Sequence, residues 1–134
     1  MDLIYTIETE AQVIEGPSAG AALTLATIAA LENKSVNSSV VITGTINLDG
    51  SVGPVGGILA KAKVSKDAGA KLFLVPEGQG LQTSYKPIRR CERVGHFTYC
   101  TVEYEREKID ITQQAGIEVK EISHIQEALK YFLT

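Results

Sequence analysis

Cysteine occurs only twice in these 134 residues, too few for a disulfide scaffold or a four-thiolate zinc site. An excess of positive charge is missing as well. Thirteen basic against sixteen acidic side chains leave a net charge of −3, which argues against a nucleic-acid binder that works through bulk positive charge. No apolar run approaches the roughly 18 residues needed to cross a bilayer. The pattern Gly-x-x-x-x-Gly-Lys-Ser/Thr occurs nowhere, excluding an ATP-binding P-loop. The beginning also lacks the charged and apolar regions of a secretory signal, and Met1-Asp2-Leu3-Ile4-Tyr5-Thr6-Ile7-Glu8 reads at once as a strand.

What is present fits one soluble globular domain. Hydrophobic residues make up 44% and charged residues 22%, and the length suits a single core. A first extended segment is predicted over residues 3–13. A small-faced, alanine-rich helix follows over 18–32, with Ala19, Ala22, Leu23, Ala26, Ala29 and Ala30 at helical spacing. The apolar run 40–46 reads as one buried strand, followed by a turn cluster and a short return through Val52. A second helix is predicted over 58–68, then a strand at 72–76 and a last strand over 116–122. Ser123 is the expected N-cap of the final helix, with Gln126 at the capping-box position. Strands alternating with helices make this an α/β (α+β) domain.

Residues 77–115 interrupt that rhythm and read as an insertion. Within it, Gly95-His96 has the form of a type II′ hairpin turn, pairing Val94 with Phe97 and setting Cys91 opposite Cys100. That position is a non-hydrogen-bonded pair with Cα atoms about 4.5 Å apart, within disulfide reach. Two free buried thiols are the alternative. A bridge would imply an oxidising compartment or a thermophilic host. Lys86, Arg89, Arg90 and Arg93 make a basic patch here, offset by Glu92, Glu103, Glu105 and Glu107, and a solvated strand face is the expected reading.

Gly16-Pro17-Ser18-Ala19-Gly20 places a serine at the start of a helix, with glycines that let a substrate backbone approach. Amides of a helix's first turn lack internal partners, so they can stabilise an oxyanion beside Ser18. Taken alone, the motif reads first as an ordinary N-cap serine. A nucleophilic serine needs a base. His96 sits in the hairpin turn and His124 at the start of the last helix, and both are expected at the surface. A lysine amine can serve instead where burial disfavours its charged form. Lys61 is the candidate, since it lies among Ile58, Leu59, Ala60 and Ala62, whereas Lys63 and Lys66 can turn outward.

Four motifs now fall in order: Glu15-Gly16-Pro17-Ser18-Ala19-Gly20, Ile42-Thr43-Gly44-Thr45-Ile46, Gly50-Ser51-Val52-Gly53-Pro54-Val55-Gly56-Gly57-Ile58-Leu59-Ala60-Lys61, and Ala68-Gly69-Ala70-Lys71 before Leu74-Val75-Pro76. Together they closely resemble the proteolytic domain of Lon proteases, nearest to the archaeal Lon-like peptidases without an ATPase module. The resemblance covers residues 3–80 and resumes over 115–134. It implies the Lon proteolytic-domain fold, a mixed sheet packed by helices, here with a β-hairpin insertion. It also implies strands ahead of Met1, so residues 1–134 are expected to be one N-terminally truncated domain.

By the same resemblance, Ser18 is the nucleophile and Lys61 the general base, with Thr43 hydrogen-bonding the amine. Glu15 matches an acidic position that gates or orients the site, with a solvated turn carboxylate as the equal alternative, and the backbone at Gly16 and Ala19 serves the oxyanion. No metal or cofactor is implied. The expected partners are polypeptide substrates, without nucleic acid or ATP, and a ring of identical subunits. A catalytically silent binding or assembly module is the alternative. The Cys91–Cys100 pair leans the localisation towards an exported or membrane-attached precursor, with the cytoplasm as the alternative.

Overall fold

Two short runs of apolar residues, 40–42 and 72–76, bury side chains on both faces, the pattern of strands covered on each side. The mostly charged run 118–122 lies at the edge beside them. A computed structural model, which describes residues 2–10, 12 and 16–133, places them in one parallel sheet. Its order is β1 (Val40–Ile42), β4 (Leu72–Pro76), β7 (Glu118–Ile122), with Val41 beside Phe73 and Phe73 beside Val119. On one face, Val40, Ile42, Leu74 and Ile122 meet α1 (Gly20–Leu31) and α4 (Ile125–Phe132), through Ala21, Leu25, Ala128 and Phe132. On the other, Phe73 and Val75 meet α2 (Ile58–Asp67) and α3 (Ile111–Ala115), through Ile58, Ala62, Ile111 and Ala115. The result is a three-layer α/β arrangement.

The run 40–46 is two strands rather than one. After Ile42 the chain leaves the parallel sheet, and β2 (Thr45–Ile46) pairs antiparallel with β3 (Val52–Gly53). Gly44 explains the break. A Cβ there would collide with Val52 Cγ1, so only glycine lets β3 come this close. The predicted return through Val52 is present, with Ile46 opposite it.

Residues 77–115 divide into a projecting hairpin and a core piece. The hairpin comprises β5 (Leu81–Val94) and β6 (Phe97–Asp110), in the register expected from Gly95-His96. Gly95 has φ 61°, and Asn33 is the only non-glycine with positive φ among the described residues. One positive φ at the first turn position is the II′ geometry. By contrast, α3 packs into the core: Ile111 is fully buried against α2, and Asp110 caps the helix by accepting from Gln113 N.

Two further expectations change. Among residues 3–13, the described ones lie in no strand. Leu3, Ile4, Tyr5 and Ile7 instead share a shallow groove with Leu23, Ala26 and Ala30 of α1, and Tyr5 Oη meets Thr27 Oγ1 at 2.6 Å. A β-rich sequence still needs a neighbouring ladder to become a strand. At α4 the N-cap is His124 rather than Ser123, with Nδ1 accepting from Gln126 N at 3.1 Å. Ser123 instead gives its N–H and hydroxyl to Glu127 Oε1.

Candidate active site

α1, which directly follows Ser18, and α2, which carries Lys61, pack on opposite faces of the sheet. Beyond the C-terminal end of β1 the chain break at Thr43 and Gly44 reaches both layers, Thr43 bonding Lys61 on one side and Gly44 bonding Ser18 on the other. Open α/β sheets gather their sites at such strand ends. Thr43 continues the parallel ladder by donating its N–H to Leu74 O at 3.1 Å. Its side chain, in a residue only 5% exposed, accepts from Lys61 Nζ at 3.5 Å. Gly44 faces the other way: its N–H donates to Ser18 O at 3.1 Å, and its carbonyl accepts from Ala21 N at 3.0 Å. Consecutive residues thus hold the two segments. Among the described residues no hydrogen bond joins Ser18 Oγ to Lys61 Nζ.

Ser18 is half-buried within a 3₁₀ turn, Pro17–Ala19, immediately before α1. The N-cap of α1 is Ala19 and that of the turn is Gly16, and neither start carries a side-chain cap. Ser18 is therefore not an N-cap serine. Gly16 has φ 100°, a left-handed conformation that favours glycine, and it is exposed. Gly20 and Ala21 give their amides to the carbonyls of Pro17 and Gly44. Glu15 lies outside the described residues.

Lys61 belongs to the first turns of α2, which begins at Gly57 in the left-handed region, φ 69°. Helical side chains lean towards the N-terminus. The Lys61 stem accordingly runs back past Gly57, whose Cβ position lies 3.9 Å from Lys61 Cε. Lys61 is half-buried, while Lys63 and Lys66 are exposed as anticipated. An apolar cavity of about 360 Å³ opens at this point, lined by Val41, Thr43, Lys61, Val64 and Phe73 among others.

Two supporting residues escaped the sequence reading. Ser65 Oγ donates to Lys61 O at 2.7 Å, one helical turn on, and its i+4 spacing was the available signal. Gln79 binds Val55 twice, accepting its N–H at 3.0 Å and donating to its carbonyl at 2.6 Å. It braces the glycine-rich approach to α2, and no local pattern announces a contact across 24 residues.

The histidines lie elsewhere. His96 is exposed at the hairpin tip. His124 is no surface bystander: besides capping α4, its Nε2 donates to Asp49 O at 2.9 Å, given Nδ1 as acceptor. Cys91 and Cys100 are joined by a disulfide with Cα atoms 4.1 Å apart, and both residues are exposed rather than buried. Among the described residues no group of three or more His, Cys, Asp and Glu could hold a metal ion.

A three-layer α/β domain with its polar cluster past the strand ends is the class that geometry defines, and sequence relatives narrow it. The profile of the Lon protease (S16) C-terminal proteolytic domain matches residues 7–88. Lon protease 2 of Bacillus subtilis is 29% identical over 120 residues, covering 90% of this chain and 17% of that protein. The Archaeal Lon protease of Thermoplasma acidophilum is 42% identical over 64 residues, covering 48% of this chain and 10% of that protein. For the Lon protease of Desulfatibacillum aliphaticivorans the identity is 33% over 98 residues, with coverages of 72% and 11%. The chain belongs to the Lon protease C-terminal proteolytic domain family. It spans less than a fifth of the length of these relatives.

Proposed function

We propose that the chain carries an ATP-independent serine endopeptidase site, with Ser18 as nucleophile and Lys61 as general base. One observation carries the reading: Thr43 and Gly44, adjacent in sequence, tether Lys61 and Ser18 respectively. Family membership supports peptide bonds as the substrate. In this mechanism the neutral Lys61 amine takes the Ser18 proton as Oγ attacks the carbonyl. The Lys61–Thr43 hydrogen bond fixes the amine while leaving its lone pair free for the serine. With the Gly20 and Ala21 amides engaged, oxyanion stabilisation falls to amides ahead of them, those of Gly16 and Ala19. The lysine then returns its proton to the leaving amine, and water resolves the acyl-enzyme. Ser–Lys pairs are a known variant of triad logic.

Glu15 orients or gates the entrance in this reading, and a ring of identical subunits taking polypeptide substrates is its assembly. An exported or membrane-attached setting, where the Cys91–Cys100 disulfide persists, is its compartment. The test is casein or fluorogenic-peptide cleavage by the longer natural protein. Ser18→Ala and Lys61→Ala should each lower kcat by about 10³-fold or more. Because the base must be uncharged, kcat/KM should climb on the alkaline side of neutrality. Cleavage unchanged by both substitutions would put the chemistry elsewhere in the longer protein and leave this domain a silent binding module.

A further inference from the structure

The ribbon β5–β6 is the largest part of the chain that the site does not use. From Ser84 to Glu107 it projects from the core with nearly every residue exposed. An isolated two-stranded ribbon is marginal in water, and both edges of this one offer unpaired backbone groups. The family match ends at residue 88, so most of the ribbon lies beyond it.

Its register sorts the charges. Residues directly opposite share a face, and alternate residues along a strand change face. Arg89 lies opposite Val102, Tyr85 opposite Arg106, Thr83 opposite Lys108, and Arg93 opposite Thr98. These levels belong to one face, which between Thr83 and Lys108 carries four cations and no carboxylate. The other face carries Glu92, Glu103, Glu105 and Glu107 against Lys86 and Arg90. Among the described residues the ribbon's one ion pair, Arg90–Glu103 at 3.3 Å, lies within the acidic face and spans no part of the basic one. What reads in sequence as a mixed, mutually offset patch is folded into two surfaces of opposite sign.

Each face also exposes large apolar groups. Tyr85 and Tyr104 stand 65% and 70% exposed on the basic side, and Phe97 is 79% exposed on the acidic side. A polyanion or an anionic membrane would suit only one surface and would be repelled by the carboxylates a strand's thickness away. The complement of each face is the other face of the same ribbon.

We propose that the ribbon is a self-association surface, on which the basic face of one copy lies against the acidic face of a second copy. The two contacting surfaces differ, so the contact is heterologous, and growth continues until a ring closes or a filament forms. From Thr83 to Val94 the face is about 40 Å long and about 10 Å wide, giving roughly 800 Å² over two partners. That is below the roughly 1,200–2,000 Å² of stable interfaces. The association is therefore concentration-dependent and salt-sensitive. It stands independently of the peptidase reading, because its readout is mass rather than cleavage.

Sedimentation velocity of the chain, with its disulfide intact, tests this at about 50 mM and about 500 mM salt. The expected result is concentration-dependent association that high salt suppresses. The pairs Arg89→Glu with Arg106→Glu, and Glu103→Arg with Glu105→Arg, should each weaken association about tenfold or more when alone. Mixed together they should form dimers again, since each retains the face the other has lost. All four positions are solvent-exposed, and unchanged circular dichroism checks folding. A chain monomeric at every concentration, or assembly indifferent to both reversals, overturns the proposal. So does a monomer that instead binds vesicles rich in anionic lipid.

Discussion

Thr43 is one of two buried polar residues among those described, and the only one whose side chain meets the Lys61 amine. Thr43→Val keeps the volume and removes the hydroxyl. If Lys61 is the base, its amine then loses the partner that holds it towards Ser18. The expectation is a kcat lower by about 10–100-fold with KM nearly unchanged, and recovery of most of the rate in Thr43→Ser. A KM effect at constant kcat would assign Thr43 to substrate binding instead. Gly50 makes a second residue-scale case. Its φ is 86°, and an added Cβ would stand 2.5 Å from His124 Nε2, on a ring pinned by two hydrogen bonds. Gly50→Ala should destabilise the fold by about 1–3 kcal/mol, read as a lower urea midpoint at unchanged slope.

At the scale of elements, the start of α4 couples acid stability to one carboxylate. Ser123's hydroxyl, and then its N–H, hold Glu127 below the usual glutamate range. A carboxyl whose pKa is lowered by folding binds protons more readily when unfolded. It therefore stabilises the fold above its unfolded pKa, near 4.5, and that support is lost as pH falls through the folded value. Glu127→Gln should be less stable than the parent at pH 7, with the difference shrinking below about pH 4.5 in chemical denaturation. A gap constant with pH would show that packing, not charge, matters there. The same joint shows what sequence made legible. α1, α2, α4, β4, β7 and the hairpin register follow from periodicity and turn chemistry, which are local, whereas α3 is too short to show a period and reads as part of the insertion. Residues 40–46 look like one strand because nothing local marks the collision between Gly44 and Val52. The His124 cap depends on the Asp49 carbonyl, 75 positions away. Ser18 and Lys61 were legible through flanking glycines and family motifs, whereas Gln79 acts only through a contact that folding creates.

At the scale of the whole molecule, the chain combines a doubly covered sheet with a ribbon that shares little of its core. Stability should be partitioned accordingly, since regions with few buried apolar contacts open independently of the rest. Only the ribbon's base is anchored, where Ile111, one residue past β6, is fully buried. Farther out, the Cys91–Cys100 disulfide closes a loop with a sequence separation of 9. On the chain-entropy account a loop of that size is stabilised by about 2–3 kcal/mol. Tyr99 adds a smaller tie by donating to Glu92 Oε2 at 2.6 Å, which also raises the phenol's pKa. Reduction should therefore speed amide exchange in residues 84–107 by about 10-fold or more while leaving β1, β4 and β7 as protected as before. If the proposed site is the peptidase site, cleavage should survive reduction, because Ser18, Thr43 and Lys61 are held outside the ribbon. If exchange in β4 rises in step with the ribbon, the two parts unfold as one unit. The disulfide would then support the core and the strand-end cluster together.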